Sequence, residues 1–126
     1  HVNVLSGQID TDRLSQGDAW VRLPQSAAAG EAQLCLRPHE VRLVEQPAEH
    51  AHLPFSIEAV SLIGSEVRVE LRPDGWAGEE IWEVGISHAE FNRRQPKRGD
   101  RCYAVPDVGH LFVGADSKPQ TLTWPG

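Results

Sequence analysis

An all-β chain, a barrel or sandwich assembled from hairpins, is the fold class that this sequence predicts. Three observations carry it. Apolar residues recur at every second position in short runs, most cleanly in "SEVRVEL", where Val67, Val69 and Leu71 face one way and Glu66, Arg68, Glu70 and Arg72 the other. Eleven glycines and nine prolines in 126 residues break the chain at short intervals and leave little room for a long helix. A single window, "SHAEFNRRQPKRGD", carries a helix start signal. The sum is about eight to ten short strands, with turns between them and at most one short helix.

The elements follow in order. Val2 to Ile9 open as a strand, with a bend at Gly7. "DTDRLSQGD" reads as a hairpin-like connection turning at Gly17-Asp18, and "AWVRLP" as a short strand stopped by Pro24. "QSAAAGE" is a loop. Ala32 to Val44 is a strand with an interruption, and "EQPAEHAHLP" a polar, proline-bounded loop. In "FSIEAVSLIG", Phe55, Ile57 and Ala59 share a face and then Val60 and Leu62 take over, a phase change that predicts a bulge near Ala59-Val60. "SEVRVEL" is a half-exposed antiparallel strand, and "RPDGWAGEE" a turn cluster with Asp74-Gly75 as the hairpin cue. "EIWEVGI" returns with Trp82, Val84 and Ile86 in phase. Ser87 then caps a short helical turn, with Glu90 three residues on, that ends before Pro96. "RCYAVP", "VGHLFVG" and "TLTWP" are terminal strands.

The interruption in "LCLRPHEVRL" is the most informative point. Before Pro38 the apolar residues fall at even positions, Leu34 and Leu36; after it they fall at odd ones, Val41 and Leu43. Proline lacks an N–H and fixes φ, so a strand passes it only at an edge or a bend. The register therefore flips, as it does when a strand leaves one sheet for another or coils round a small barrel. Arg37, His39 and Glu40 then project at a corner, where a partner subunit or an anion is able to meet them.

Composition excludes several functions. A net charge of −6 repels phosphate backbones, and eight aromatics, several in core phase, do not supply a stacking groove for nucleic acid. The basic cluster of Arg93, Arg94, Lys97, Arg98 and Arg101 reads as a solvated loop. Met is absent and no signal-peptide pattern opens the chain, so the expectation is a domain cut from a longer protein. No apolar run approaches the roughly 20 residues that cross a bilayer. Cys35 and Cys102 sit among strand residues and outside any CxxC motif, as small buried hydrophobes. A disulfide between them stays open, though nothing signals export. His39, His50 and His52 with Glu40 invite a metal reading, but "EHAH" lies in a loop with no rigid element to aim the rings, so exposed histidines are expected and no metal site. Neither Ser6 nor Ser87-His88 stands in a nucleophile motif, and no phosphate loop exists, so no catalytic residue is assigned.

The ordered set "VNVLSGQI", "LCLRPHEVRLV", "FSIEAVSLIGSEVRVEL", "EIWEVGI", "RGDRCYAVP" and "HLFV" resembles the TOBE (transport-associated OB) family, the accessory domain that follows the nucleotide-binding domain in ABC importer ATPases. The likeness is greatest to sulfate/thiosulfate importers and runs from Val2 to Val113. It implies an OB-like antiparallel β-barrel, one TOBE-like domain over residues 1–126, with a tail at 114–126 of unassigned role. It implies an accessory, non-enzymatic part of a cytoplasmic ATP-binding subunit, held at the inner membrane through its transporter complex. ATP and magnesium belong to the domain upstream. The implied partners are a second copy of the subunit, its own nucleotide-binding domain and the membrane permease. Trp82, Leu111 or Phe112 is the expected apolar edge toward the twin. The alternative is a barrel that binds a small oxyanion, sulfate or molybdate, through Arg37, His39, Arg68 and backbone N–H groups near Gly64 or Gly99. The shorter repeated units of related molybdate-binding domains are not evident in these residues. Arg37, His39, Glu40 and Arg68 are thus the candidate interface or anion contacts.

Overall fold

The structure, a computed structural model, describes residues 1–76, 80–115 and 118–125. Part of the "RPDGWAGEE" turn cluster and the start of the C-terminal tail lie outside the described residues. The chain forms β1 (Asn3–Asp10), β2 (Arg13–Gln16), β3 (Ala19–Arg22), β4 (Gly30–Leu36), β5 (Val41–Val44), β6 (Ala51–His52), β7 (Pro54–Ile63), β8 (Glu66–Pro73), β9 (Trp82–Ile86), α1 (His88–Arg94), β10 (Arg101–Pro106), β11 (Val108–Val113) and β12 (Gln120–Thr123). All pairings are antiparallel, in one sheet ordered β12-β11-β4-β1-β2-β3-β6 and a second ordered β5-β10-β7-β8-β9. This is the all-β class that the alternation predicts, in the OB-like form that the resemblance implies.

The two sheets share one plan. In the first, β1 pairs with β2 and β4, and β2 with β3. In the second, β7 pairs with β8 and β10, and β8 with β9. The following strand is exchanged: β5 leaves β4 to pair with β10, and β11 leaves β10 to pair with β4. A repeated unit is therefore present, contrary to the reading of the sequence. It is hidden because β7 carries a bulge at Glu58, and because a loop joins β3 to β4 where α1 stands between β9 and β10. The visible trace is a proline at each exchange corner, Pro38 after β4 and Pro106 at the end of β10.

Pro38 sits where the register flip places a corner. β4 stays in the first sheet and β5 joins the second. Both sheets curl until their ends meet. The Gly85 N–H donates to the Pro38 carbonyl at 3.1 Å, tying β9 to the approach of β5. The Trp124 indole donates to the Arg22 carbonyl at 2.6 Å, tying the end of β12 to the end of β3. The interior is continuous. Leu5, Leu14, Val21 and Leu34 from the first sheet join Phe55, Val67, Val69, Leu71 and Val84 from the second, and an aromatic cluster of Phe55, Trp76 and Trp82 has ring centroids 5.0 to 6.2 Å apart.

Local chemistry explains the boundaries. Thr11 and Gly17 take positive φ of 63° and 58°, closing the tight turns either side of β2 that the sequence reading merged into one connection. Gly7 is required by contact, since a Cβ there would lie 2.2 Å from the Ser15 carbonyl oxygen on β2. The Ser87 hydroxyl accepts from the Glu90 N–H at 3.0 Å, and Gln95 ends α1 in the left-handed region at φ 46°, donating to the Phe91 carbonyl.

Several expectations are corrected. β2 and β6 are strands inside stretches read as connections, each too short for alternation to show. The strand expected in "TLTWP" is present as β12, which pairs with β11, and Leu122 and Trp124 are buried, so the tail whose role was unassigned forms part of the core. Trp82 and Leu111 are in the core at 1% exposure each, so neither is an edge toward a partner; Phe112 alone of the three is half-buried. His50 and His52 are half-buried, stacked on Trp124 and Trp20.

Candidate functional site

The corner is held by Glu40. Its carboxylate accepts the Arg37 N–H at 2.8 Å, its own N–H donates to the Arg37 carbonyl at 2.9 Å, and its carbonyl accepts the Asp107 N–H at 2.9 Å. The second carboxylate oxygen lies 3.7 Å from His110 Nε2 on β11. Buried and so engaged, Glu40 closes the turn. Arg37 and His39 are exposed beside it.

Arg68 stands on β8 opposite Gly85, whose N–H reaches Pro38, so the corner and Arg68 belong to one cross-strand row. Both terminal nitrogens of its guanidinium are committed, while the buried Nε has no partner among the described residues. Nη2 donates to Glu66 and Nη1 to Glu83, both at 2.9 Å, and these hydrogen bonds, Glu66 first, raise its pKa further. Glu83 also lies 2.8 Å from His1 Nδ1. An oxyanion at Arg68 would have to displace a carboxylate. The Gly99 N–H, another candidate donor, is given to the Ile57 carbonyl at 2.8 Å. Of Arg37, His39, Glu40 and Arg68, only Arg37 and His39 thus keep open side chains.

The remaining groups are structural in character. Among the described residues no cluster of three or more His, Cys, Asp or Glu is arranged to hold a metal. His50 Nε2 lies 3.3 Å from the Pro106 carbonyl, and His52 packs on Tyr103 with centroids 5.5 Å apart. Both cysteines are free thiols. Burial pushes the Cys102 thiol up to about 12, with Asp100 adding to it, and burial also raises Cys35. In the basic cluster, Arg94 donates to the Leu43 carbonyl and Arg101 pairs with Asp74 at 3.2 Å, while Arg93, Lys97 and Arg98 are exposed.

An open concavity of about 760 Å³ lies across β4, β1 and β2, lined by Gln8, Ser15, Gln16, Glu31, Gln33 and Phe112 among others. No Arg or Lys lines it among the described residues, so it offers amide and hydroxyl dipoles and no cation.

Asn3 was not singled out from the sequence. Its side-chain amide imitates a strand partner, Oδ1 accepting the Glu83 N–H at 2.7 Å and Nδ2 donating to the Glu83 carbonyl at 2.9 Å. The signal was a polar residue at a core-phase position of the first strand, two before Leu5.

Comparison with known proteins agrees with this geometry. Residues 46–107 match the family model described as a TOBE-like domain. The chain is 35% identical to the sulfate/thiosulfate import ATP-binding protein CysA of Vibrio cholerae, over 99% of this chain and 34% of that protein. It is 36% identical to CysA 1 of Shewanella oneidensis, again over 99% of this chain and 34% of the relative. It therefore spans about a third of the length of these relatives. In fold it is similar to the molybdate-bound cytoplasmic molybdate-binding protein ModG, with a TM-score of 0.70 at 14% identity, covering 89% of this chain and 96% of that one.

Proposed function

We infer that this chain, a TOBE-like domain resembling the C-terminal region of sulfate/thiosulfate importer ATP-binding subunits, is the accessory packing module of such a subunit. The observation that carries this reading is the state of its polar groups. Glu40 at the corner closes a turn and Arg68 on β8 is held in ion pairs with Glu66 and Glu83, an arrangement that builds a stiff body. In this role the chain binds a second copy of itself, its own nucleotide-binding domain and, through the complex, the permease. ATP and magnesium are handled elsewhere in the subunit, and the complex holds the chain at the cytoplasmic face of the membrane. No helix among the described residues is long and apolar enough to cross a bilayer. A signal that favours one packing of the two modules biases the ATPase between states.

Dilution calorimetry tests this. Injecting millimolar chain into buffer releases the heat of dissociation if the modules associate; the absence of any such heat contradicts the reading.

A second reading, a module that binds a small oxyanion, draws on the fold likeness to ModG. Arg37 and His39 are its open donors. Calorimetric injection of sulfate, thiosulfate or molybdate gives a saturable heat under this reading and none under the first.

A further inference from the structure

β7 is paired on both sides only along its first half. Pro54, Phe55 and Ser56 face β10 in register, and Ile57 exchanges backbone hydrogen bonds with Gly99 and Asp100. The bulge at Glu58 then turns the strand away from β10. From Ala59 to Ile63 its only strand partner among the described residues is β8, running from Glu70 to Glu66. In an antiparallel ladder alternate residues direct N–H and C=O away from the paired neighbour, so this stretch presents an open edge.

The side chains along this edge are not protected as exposed edges usually are. Leu62 lies across from Val67 on the same face as Val60 and Val69, the face that elsewhere fills the core, yet it is 67% exposed. Ile63 is 54% exposed. Ala59 to Ser65 contains no charge and no proline. By contrast β12, the outer strand of the first sheet, is preceded by Lys118 and Pro119.

We propose that residues 59–63 of β7 pair edge to edge with the same residues of a second copy of this chain. This rests on the packing-module reading and locates its contact. Two molecules of net charge −6 repel, so a contact between copies is least opposed where the surface is uncharged, as it is from Ala59 to Ser65. The segment is also self-complementary. An antiparallel two-fold through Ser61 sets Val60 against Leu62 and Ala59 against Ile63 of the second copy, apolar on apolar at every flanking pair. Five residues of edge bury little surface, so the contact is weak in isolation.

Light scattering of Leu62→Glu and Leu62→Lys beside the unaltered chain tests the proposal. The two substitutions change net charge in opposite directions, and both are expected to weaken self-association at least about ten-fold. Hydrogen exchange of the unaltered chain gives a second readout, with amides in 59–63 slowing as concentration rises. Self-association that is unchanged in both variants, with flat exchange at 59–63, overturns this surface, assigns the edge to another occupant and leaves the packing reading standing. A mass that never rises with concentration removes both.

Discussion

Glu40 and Cys102 show two ways in which this chain buries an ionisable group. Glu40 is tolerated because the Arg37 N–H meets it at 2.8 Å. Glu40→Ala orphans that donor and is expected to cost about 1–3 kcal/mol in urea unfolding, with the loss concentrated at the corner. Cys102 is tolerated because it stays protonated. Its thiol is held up to about 12 in the folded chain, against about 8.5 for a free thiol, so the unfolded chain releases its proton first as pH rises. The contribution is fully present below about pH 8.5 and is lost towards 12, with a slope approaching about 1.4 kcal/mol per pH unit for one proton. Unfolding midpoints from pH 8 to 11 are expected to fall in the unaltered chain and to flatten in Cys102→Ala; equal slopes contradict the assignment. Gly7→Ala, which sets a methyl against the Ser15 backbone, is expected to destabilise by about 1–3 kcal/mol. Of these residues the sequence showed the corner at Pro38; where a bend was expected at Gly7, β1 runs on in unbroken register with β4, and the glycine is required by the closeness of Ser15. The sequence did not show that Glu40 is the clasp, because a carboxylate three residues from its donor looks the same whether exposed or buried.

At the level of elements, alternation was a sound guide in β8 and β9 but not in β1, where Asn3 takes a buried position beside Leu5 and Ile9 while Val2 is exposed. β8 and the bulge of β7 could be read residue by residue, since one face of each is wet. The capped start of α1 was legible because Ser87 and Glu90 carry the capping signal themselves. β2 and β6, of four and two residues, are set by their neighbours and leave too few positions to count. Asn3 belongs to this scale as well, since it splices β1 to β9 across 80 residues of sequence. Asn3→Leu leaves the Glu83 N–H and carbonyl unpaired and is expected to cost about 2–4 kcal/mol. Asn3→Asp keeps the acceptor but sets a buried carboxylate oxygen against the Glu83 carbonyl, so it is expected to destabilise at least as much. A Leu variant as stable as the original chain would show that the splice contributes nothing.

Over the whole molecule, strand exchange is what composition and periodicity could not reveal. Pairing partners lie far apart in sequence, and only the flip at Pro38 hinted that consecutive strands serve different sheets. Because β5 completes the second sheet and β11 the first, neither half is complete alone. Heat or urea is therefore expected to unfold the chain in one transition, with tryptophan fluorescence and circular dichroism coincident. Removing residues 107–126 is expected to unfold both sheets, since it strips β4 of a neighbour and takes Leu111, Leu122 and Trp124 from the shared core. Such a body suits the proposed role of a part that transmits packing changes between subunits. Sedimentation equilibrium of the chain from micromolar to millimolar concentration tests that claim most directly. The account requires the weight-average mass to climb from 13.9 kDa towards twice that value, and a mass fixed at 13.9 kDa throughout would contradict it.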